Sequence, residues 1–269
     1  MNAVTDAVVL MAGAGSRLRV GEHKVVKPLV PLLGRSLVSY TLDALARCGI
    51  KRIFAVVGFE KEILTPQLQK LCPPGIELRF VENPEWKKQN GISVLAAASH
   101  VSGSFVLTMA DHLFEPAIVD LLLRQHINDD LFLAVDRKID KIFDIADAMK
   151  VKTRGDRIIA IAKDLTEYDA IDTGVFLCPP VLFRHLESAK QNDDCSLADG
   201  VRAMAAVGHA RAIDIGAGWW QDVDTPEMLA AGENQLRSRL GLTVSDRTKD
   251  EAGERNRGPQ VKDPIRAIE

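Results

Sequence analysis

Gly13, Gly15, Arg17 and Lys27 fall within the first thirty residues, in an order that suits phosphate chemistry. The segment Val8-Val9-Leu10-Met11-Ala12-Gly13-Ala14-Gly15-Ser16-Arg17-Leu18 begins as an apolar run and ends in a glycine-rich turn and an arginine; Lys27-Pro28 follows. A buried strand feeding such a loop is suited to wrap a nucleoside triphosphate. Glycines let backbone N–H groups approach phosphate oxygens, and Arg17 and Lys27 bring positive charge. Two other phosphate loops are excluded. A dinucleotide fingerprint needs a third glycine where Leu18 stands and an acidic residue about 20 positions on, and a P-loop needs Gly-Lys-Ser/Thr. Neither pattern is present.

Further along, Asn90-Gly91-Ile92-Ser93 precedes a helix-like stretch. Asn90 offers both a donor and an acceptor, as a pyrimidine edge requires, and Gly91 permits close approach. Ser93 serves equally well as a helix N-cap. Asp111 follows the apolar run Phe105–Met109, at the carboxyl end of a buried strand, where open α/β sheets hold ligands. A carboxylate there suits Mg²⁺, a hard ion that takes oxygen ligands and bridges phosphates. Lys150 and Lys163 lie on two strand-like stretches, and Asp172-Thr173-Gly174 comes next. Lysines suit a phosphate and an aspartate suits vicinal hydroxyls, so this group could clamp a phosphorylated polyol. The six histidines show no metal-ligand spacing, and His112 adjoins Asp111.

The elements that must position these residues alternate. Ala7–Met11, Lys51–Val57, Gly75–Val81 and Ser104–Met109 read as strands. Leu37–Cys48, Lys61–Leu71, Ser93–Ser99 and Ala117–His126 read as helices, with Pro66 expected to break the second. This order predicts a mostly parallel sheet covered by helices. From Leu131 the pattern changes. Leu131–Val135, Ala148–Thr153 and Arg157–Ala162 read as hairpin strands, with a turn at Arg154-Gly155-Asp156. A strand at Asp172–Leu177, a helix at Pro179–Lys190, short strands at Ala210–Ile215 and Trp219–Val223, and a helix opened by Thr225-Pro226 and running to Leu240 complete the series. The expected fold is a Rossmann-like three-layer α/β/α domain with a mostly parallel mixed sheet over residues 1–240. Residues 1–130 form its nucleotide-binding half and 131–240 its acceptor-binding half. Residues 241–269, rich in charge, Gly and Pro, are expected to be a disordered tail.

The bulk numbers narrow the partners. A net charge of −3 gives no broad basic surface, which argues against nucleic acid. The four cysteines contain no C-x-x-C pair, which points to reduced thiols in a cytoplasmic protein rather than a zinc site. No apolar run reaches the roughly 18 residues that a membrane span needs.

The chain resembles the nucleotidyltransferases that join a nucleoside triphosphate to a phosphorylated sugar or alcohol. Their signature, a strand then Leu-x-Ala-Gly-x-Gly-x-Arg then Lys-Pro, is met by Leu10–Arg17 and Lys27-Pro28. The resemblance implies the nucleotide-diphospho-sugar transferase fold. It implies a triphosphate wrapped by Leu10, Ala12, Gly13 and Gly15, with Arg17 and Lys27 as the catalytic cations. It places Asn90, Gly91 and Ser93 at the base and ribose, and Asp111 on Mg²⁺. The family's Trp-x-Asp-x-x-Thr-Pro segment corresponds to Trp220–Pro226, so Asp222 completes the metal site, with Asp224 the competing ligand. The acceptor segment, with Asp111-His112, looks most like the CTP:inositol-1-phosphate cytidylyltransferases. That likeness implies transfer of CMP from CTP to inositol-1-phosphate. Lys150, Lys163, Asp172, Thr173 and Gly174 would hold the acceptor, and a separate membrane CDP-alcohol transferase would act downstream. It covers about Ala7 to Leu236. A sugar-1-phosphate, phosphocholine or phosphonate acceptor with CTP, UTP or GTP stays open, as does a non-catalytic nucleotide-sensing homologue.

Overall fold

In the computed structural model, which describes residues 4–18 and 25–241, the apolar run before the glycine-rich loop forms β1 (Asp6–Leu10), buried at every position. Such a run suits a central strand covered on both faces. A short hairpin, β2 (Pro31–Leu32) and β3 (Arg35–Ser36), leads into α1 (Leu37–Arg47). Then come β4 (Arg52–Val57), α2 (Lys61–Leu71), β5 (Glu77–Glu82), α3 (Asn90–Ala96), β6 (Phe105–Met109), β7 (His112–Phe114) and α4 (Pro116–Leu123). The second half holds β8 (Leu131–Asp136), β9 (Lys150–Arg154), β10 (Arg157–Ala162), β11 (Ala170–Cys178), α5 (Val181–Ala189), α6 (Leu197–Ala206), β12 (Ala210–Asp214), β13 (Trp220–Asp222) and α7 (Pro226–Leu240).

Nine strands make one sheet in the order β5-β4-β1-β6-β11-β8-β12-β10-β9. The first four are parallel to their neighbours, and β8 is parallel to β12. The pairs β6–β11, β11–β8, β12–β10 and β10–β9 are antiparallel, so the sheet is mixed. Alternate residues of β1 feed two cores. Val8 and Leu10 meet the α3, α5 and α6 side through Val94, Leu186 and Val201. Ala7 and Val9 meet the α1, α2 and α4 side through Leu42, Leu64 and Ile118. This is the expected three-layer arrangement.

Three local expectations are corrected. Pro66 does not break α2. It sits on the exposed face, while Leu64 and Leu68 are fully buried on the other face and hold the helix against the sheet. β8 is not hairpin material: it lies inside the sheet between β11 and β12, and only β9 and β10 form the hairpin. Finally, α6 was absent from the pattern reading. It opens with a capping box between Ser196 and Asp199, and its periodicity is interrupted by Gly200, where a Cβ would lie 2.6 Å from Leu186. The chain divides into two units, Met1–Gly232 and Glu233–Glu269. The expected tail lies outside the described residues, apart from Gly241.

Candidate active site

The glycine-rich loop leaves the carboxyl end of β1 and borders a cleft of about 500 Å³. Leu10, Ala12, Gly13, Gly15 and Arg17 all line it. Gly15 has a φ of +57°, and a Cβ there would lie 2.5 Å from Lys27 Cβ. Its missing side chain therefore serves two ends: it allows the left-handed turn and lets Lys27 pass beneath the loop. Gly13 has nothing within 4 Å of the place its Cβ would take, so it leaves open space.

Asp111 lies one strand away, after β6. The β7–β13 ribbon sets Asp222 opposite His112, and the Val223 N–H donates to the Asp111 carbonyl (2.9 Å). Residues more than a hundred positions apart are thereby joined. Lys27 Nζ, buried under the loop, donates to Asp111 Oδ2 (2.5 Å) and Asp224 Oδ1 (2.5 Å). Burial alone would depress the Lys27 pKa, but Asp111 and Asp224 outweigh it and hold it above its ordinary value. Burial likewise works to raise Asp111, yet Lys27 and His112 keep it ionised, well below the usual carboxylate range. Arg17 reaches from the other side of the loop. Its Nη1 donates to Asp147 (2.7 Å) and its Nη2 to Asp224 (2.6 Å).

Asp222 differs from its neighbours. Among the described residues its one side-chain hydrogen bond comes from Gln221 Nε2, at 3.3 Å. Burial raises its pKa; His112 opposes the rise, Asp224 and Asp111 add to it, and Lys27 opposes it more weakly. Two carboxylates thus converge on Lys27, whereas Asp222 makes no ion pair among the described residues. Among the described residues no group of three or more His, Cys, Asp or Glu is placed to hold a metal. Mg²⁺ commonly takes only one or two carboxylates and completes its shell with water and phosphate oxygens. Asp111 and Asp222 offer an all-oxygen pair, and Asp222 makes no ion pair among the described residues, which fits that ion.

On the acceptor side the expected residues divide. Lys163, Asp172 and Gly174 line the cleft. Burial pushes the Asp172 carboxyl up to about 6, and the Gly174 N–H (2.7 Å) and His112 only partly oppose this. Gly174 makes room for the His112 ring, since a Cβ there would lie 2.4 Å from Nε2. Trp220 stacks on the same ring at 6.2 Å. Lys150 and Thr173 do not line the cleft. Lys150 Nζ donates to the Lys163 carbonyl (2.5 Å) and lies over the Tyr168 ring, while the Thr173 hydroxyl donates to the Ala134 carbonyl (2.8 Å) inside the sheet. On the nucleotide side Asn90 and Ser93 line the cleft with Trp86 and Lys88. Asn90 Oδ1 is already used, accepting from the Leu197 N–H (2.8 Å). Ser93 does not cap α3: it lies within the helix and accepts from buried Asn83 (2.9 Å). Gly91 faces the other way. A Cβ there would lie 2.6 Å from the Cys195 carbonyl, so its bareness serves the packing of α3 against the α6 N-terminus rather than a ligand.

Pattern reading missed Asp144 and Asp147, which also line the cleft. Their only sequence signal was an Asp-x-x-Asp spacing between strands. The pairing Asp147 makes with Arg17 spans 130 positions.

A mixed sheet, a glycine-rich loop at the end of its first strand and a Lys–Asp cluster beneath that loop define a nucleotidyltransferase fold. The chain belongs to the family with the MobA-like NTP transferase domain, which matches residues 7–209. It is 35% identical over 241 residues to a bifunctional IPC transferase and DIPP synthase of Rubrobacter xylanophilus, covering 89% of this chain and 53% of that protein. It is 33% identical to the protein of the same description from Thermococcus kodakarensis, covering 86% and 50%. The chain thus spans about half the length of the curated relatives it matches. Among solved structures, the inositol-1-phosphate CTP transferase from T. maritima superposes with a TM-score of 0.79 at 29% identity, covering 89% of this chain and 97% of that one. Among the described residues no helix is long and apolar enough to cross a membrane.

Proposed function

We propose that this protein transfers CMP from CTP to inositol-1-phosphate, giving CDP-inositol and pyrophosphate. The observation that carries the reading is the Lys27–Asp111–Asp224 cluster under the glycine-rich loop. It occurs in a chain that aligns along nearly all of an inositol-1-phosphate CTP transferase. The acceptor phosphate is itself a nucleophile, so an in-line attack on the α-phosphorus needs no general base. Catalysis then rests on positioning and charge neutralisation.

Each residue has a task in that scheme. The backbone of Ala12, Gly13 and Gly15 approaches the triphosphate. Lys27 and Arg17 offset the negative charge that gathers as pyrophosphate leaves. Asn90 and Ser93 face the base and ribose. Lys163 meets the acceptor phosphate, and Asp172 and Gly174 meet its hydroxyls. Mg²⁺, held by Asp111 and Asp222, would neutralise phosphate oxygens when bound. Residues 1–240 would form the catalytic domain, working in the cytoplasm and supplying a membrane CDP-alcohol transferase.

The deciding experiment is pyrophosphate release with Mg²⁺, comparing CTP and UTP, each with inositol-1-phosphate. Rapid release with CTP alone is expected. Silence with both nucleotides would overturn this acceptor and turn the search to sugar phosphates, phosphocholine and phosphonates.

A further inference from the structure

Arg17 and Lys163 come from opposite halves of the sheet, yet both hold one carboxylate. Arg17 Nη1 donates to Asp147 Oδ2 at 2.7 Å, and Lys163 Nζ donates to Asp147 Oδ1 at 2.5 Å. Two cations on the two oxygens of one anion is the arrangement that also grips two oxygens of a phosphoryl group. Asp147 itself belongs to neither half's strands. It sits on the connection before β9, in a local turn where its own N–H and that of Ala148 bond to Asp144 (3.3 and 3.1 Å).

We propose that the Asp147 carboxylate is a stand-in anion, seated on Arg17 and Lys163 until a substrate phosphate displaces it from one or both of these cations. This rests on the reading that the cleft takes phosphorylated substrates. Three observations favour exchange over a permanent strut. First, the side chains are exposed, 55% for Arg17, 52% for Lys163 and 33% for Asp147, and exposed ion pairs are weak. Second, Arg17 keeps a second anchor: its Nη2 stays on Asp224 (2.6 Å) when Asp147 leaves, so the guanidinium remains held in place. Third, Asp147 carries one negative charge, whereas a phosphate monoester or a nucleotide tail brings about two. The incoming group therefore has the stronger attraction to the same cations.

The test is direct binding without added metal, with inorganic phosphate and inorganic pyrophosphate as probes, by calorimetry at low salt. Wild type is compared with Asp147→Asn and Asp147→Ser, which remove the competing charge, and with Asp147→Glu, which keeps it. The two neutral variants are expected to bind one or both anions about 3–10-fold more tightly, the range that loss of two exposed ion pairs allows. The glutamate variant is expected to bind as wild type does. A gain for phosphate alone assigns the seat to the acceptor's monoester. A gain for pyrophosphate alone assigns it to the nucleotide. Unchanged or weaker binding of both anions in the folded neutral variants overturns the proposal and makes Asp147 a strut that aligns Arg17. Because both probes are inorganic, this result stands apart from the acceptor assignment. Failure of CTP turnover with inositol-1-phosphate would leave it intact.

Discussion

At Lys27 burial and charge oppose each other. A lysine under a loop is costly to keep protonated, and only the two carboxylates at 2.5 Å offset that cost. Its charge is therefore fixed beneath the glycine-rich loop. Lys27→Ala is expected to lower turnover roughly 10²–10³-fold, the size of a lost charge-stabilising contact. Steady-state rates, with circular dichroism as the fold control, check this, and a near-normal rate would remove the assigned role. Asp111→Asn is expected to abolish Mg²⁺-dependent turnover with the far-ultraviolet spectrum unchanged. Asp172 gives a pH signature. Its pKa in the folded protein, about 6, is above the ordinary carboxylate value, so folding favours its protonated form. The resulting penalty is absent below about pH 4, builds between pH 4 and 6, and is full above that, at no more than about 3 kcal/mol. Asp172→Asn can still accept from the Gly174 N–H. It is expected to raise the melting temperature at pH 7.5 and to leave it nearly unchanged at pH 4, as thermal denaturation at the two pH values would show.

At the scale of elements, short pieces set the site's shape. The β7–β13 ribbon is three residues per strand, yet it fixes Asp222 and Asp224 beside Asp111. The contact of α3 with the α6 N-terminus fixes the Asn90 side of the cleft. Gly91→Ala would drive a Cβ to within 2.6 Å of the Cys195 carbonyl, and backbone must shift to relieve it. A stability loss of about 1–3 kcal/mol is expected, read by urea denaturation, together with weaker nucleotide binding. Ser196→Ala would remove the capping box of α6 and cost about 1 kcal/mol. That box was legible as a Ser-x-x-Asp spacing, but Gly200 and short flanking loops hid the helix behind it. The lysines show a different limit. Lys150 and Lys163 looked equivalent as residues on neighbouring strands. Lys150 lies within β9, paired opposite Ala162, whereas Lys163 falls in the turn just after β10, off the ladder, and it is Lys163 that lines the cleft.

At the scale of the molecule, one nine-stranded sheet carries both halves of the cleft, and every cleft residue lies between Leu10 and Asp224. All of them fall within the unit Met1–Gly232. A chain ended after Gly241 is therefore expected to keep both its melting temperature and its turnover. A loss of turnover in that shortened chain would show that residues 242–269 take part.

Local pattern by itself determined the first strand, the glycine turn, the basic pair Arg17 and Lys27, the aspartate after β6, and the Thr-Pro start of α7. Each depends on residues within a few positions, where backbone freedom, capping and burial period act directly. Tertiary structure alone decided who meets whom. Lys27 joins Asp111 across 84 positions and Asp224 across 197, and Arg17 joins Asp147 across 130. Those pairings follow from sheet order and register, which arise only when distant strands find common cores. Hence Asp224 became Lys27's partner, Asp222 made no ion pair among the described residues, and Gly91 turned inward to the packing of two helices.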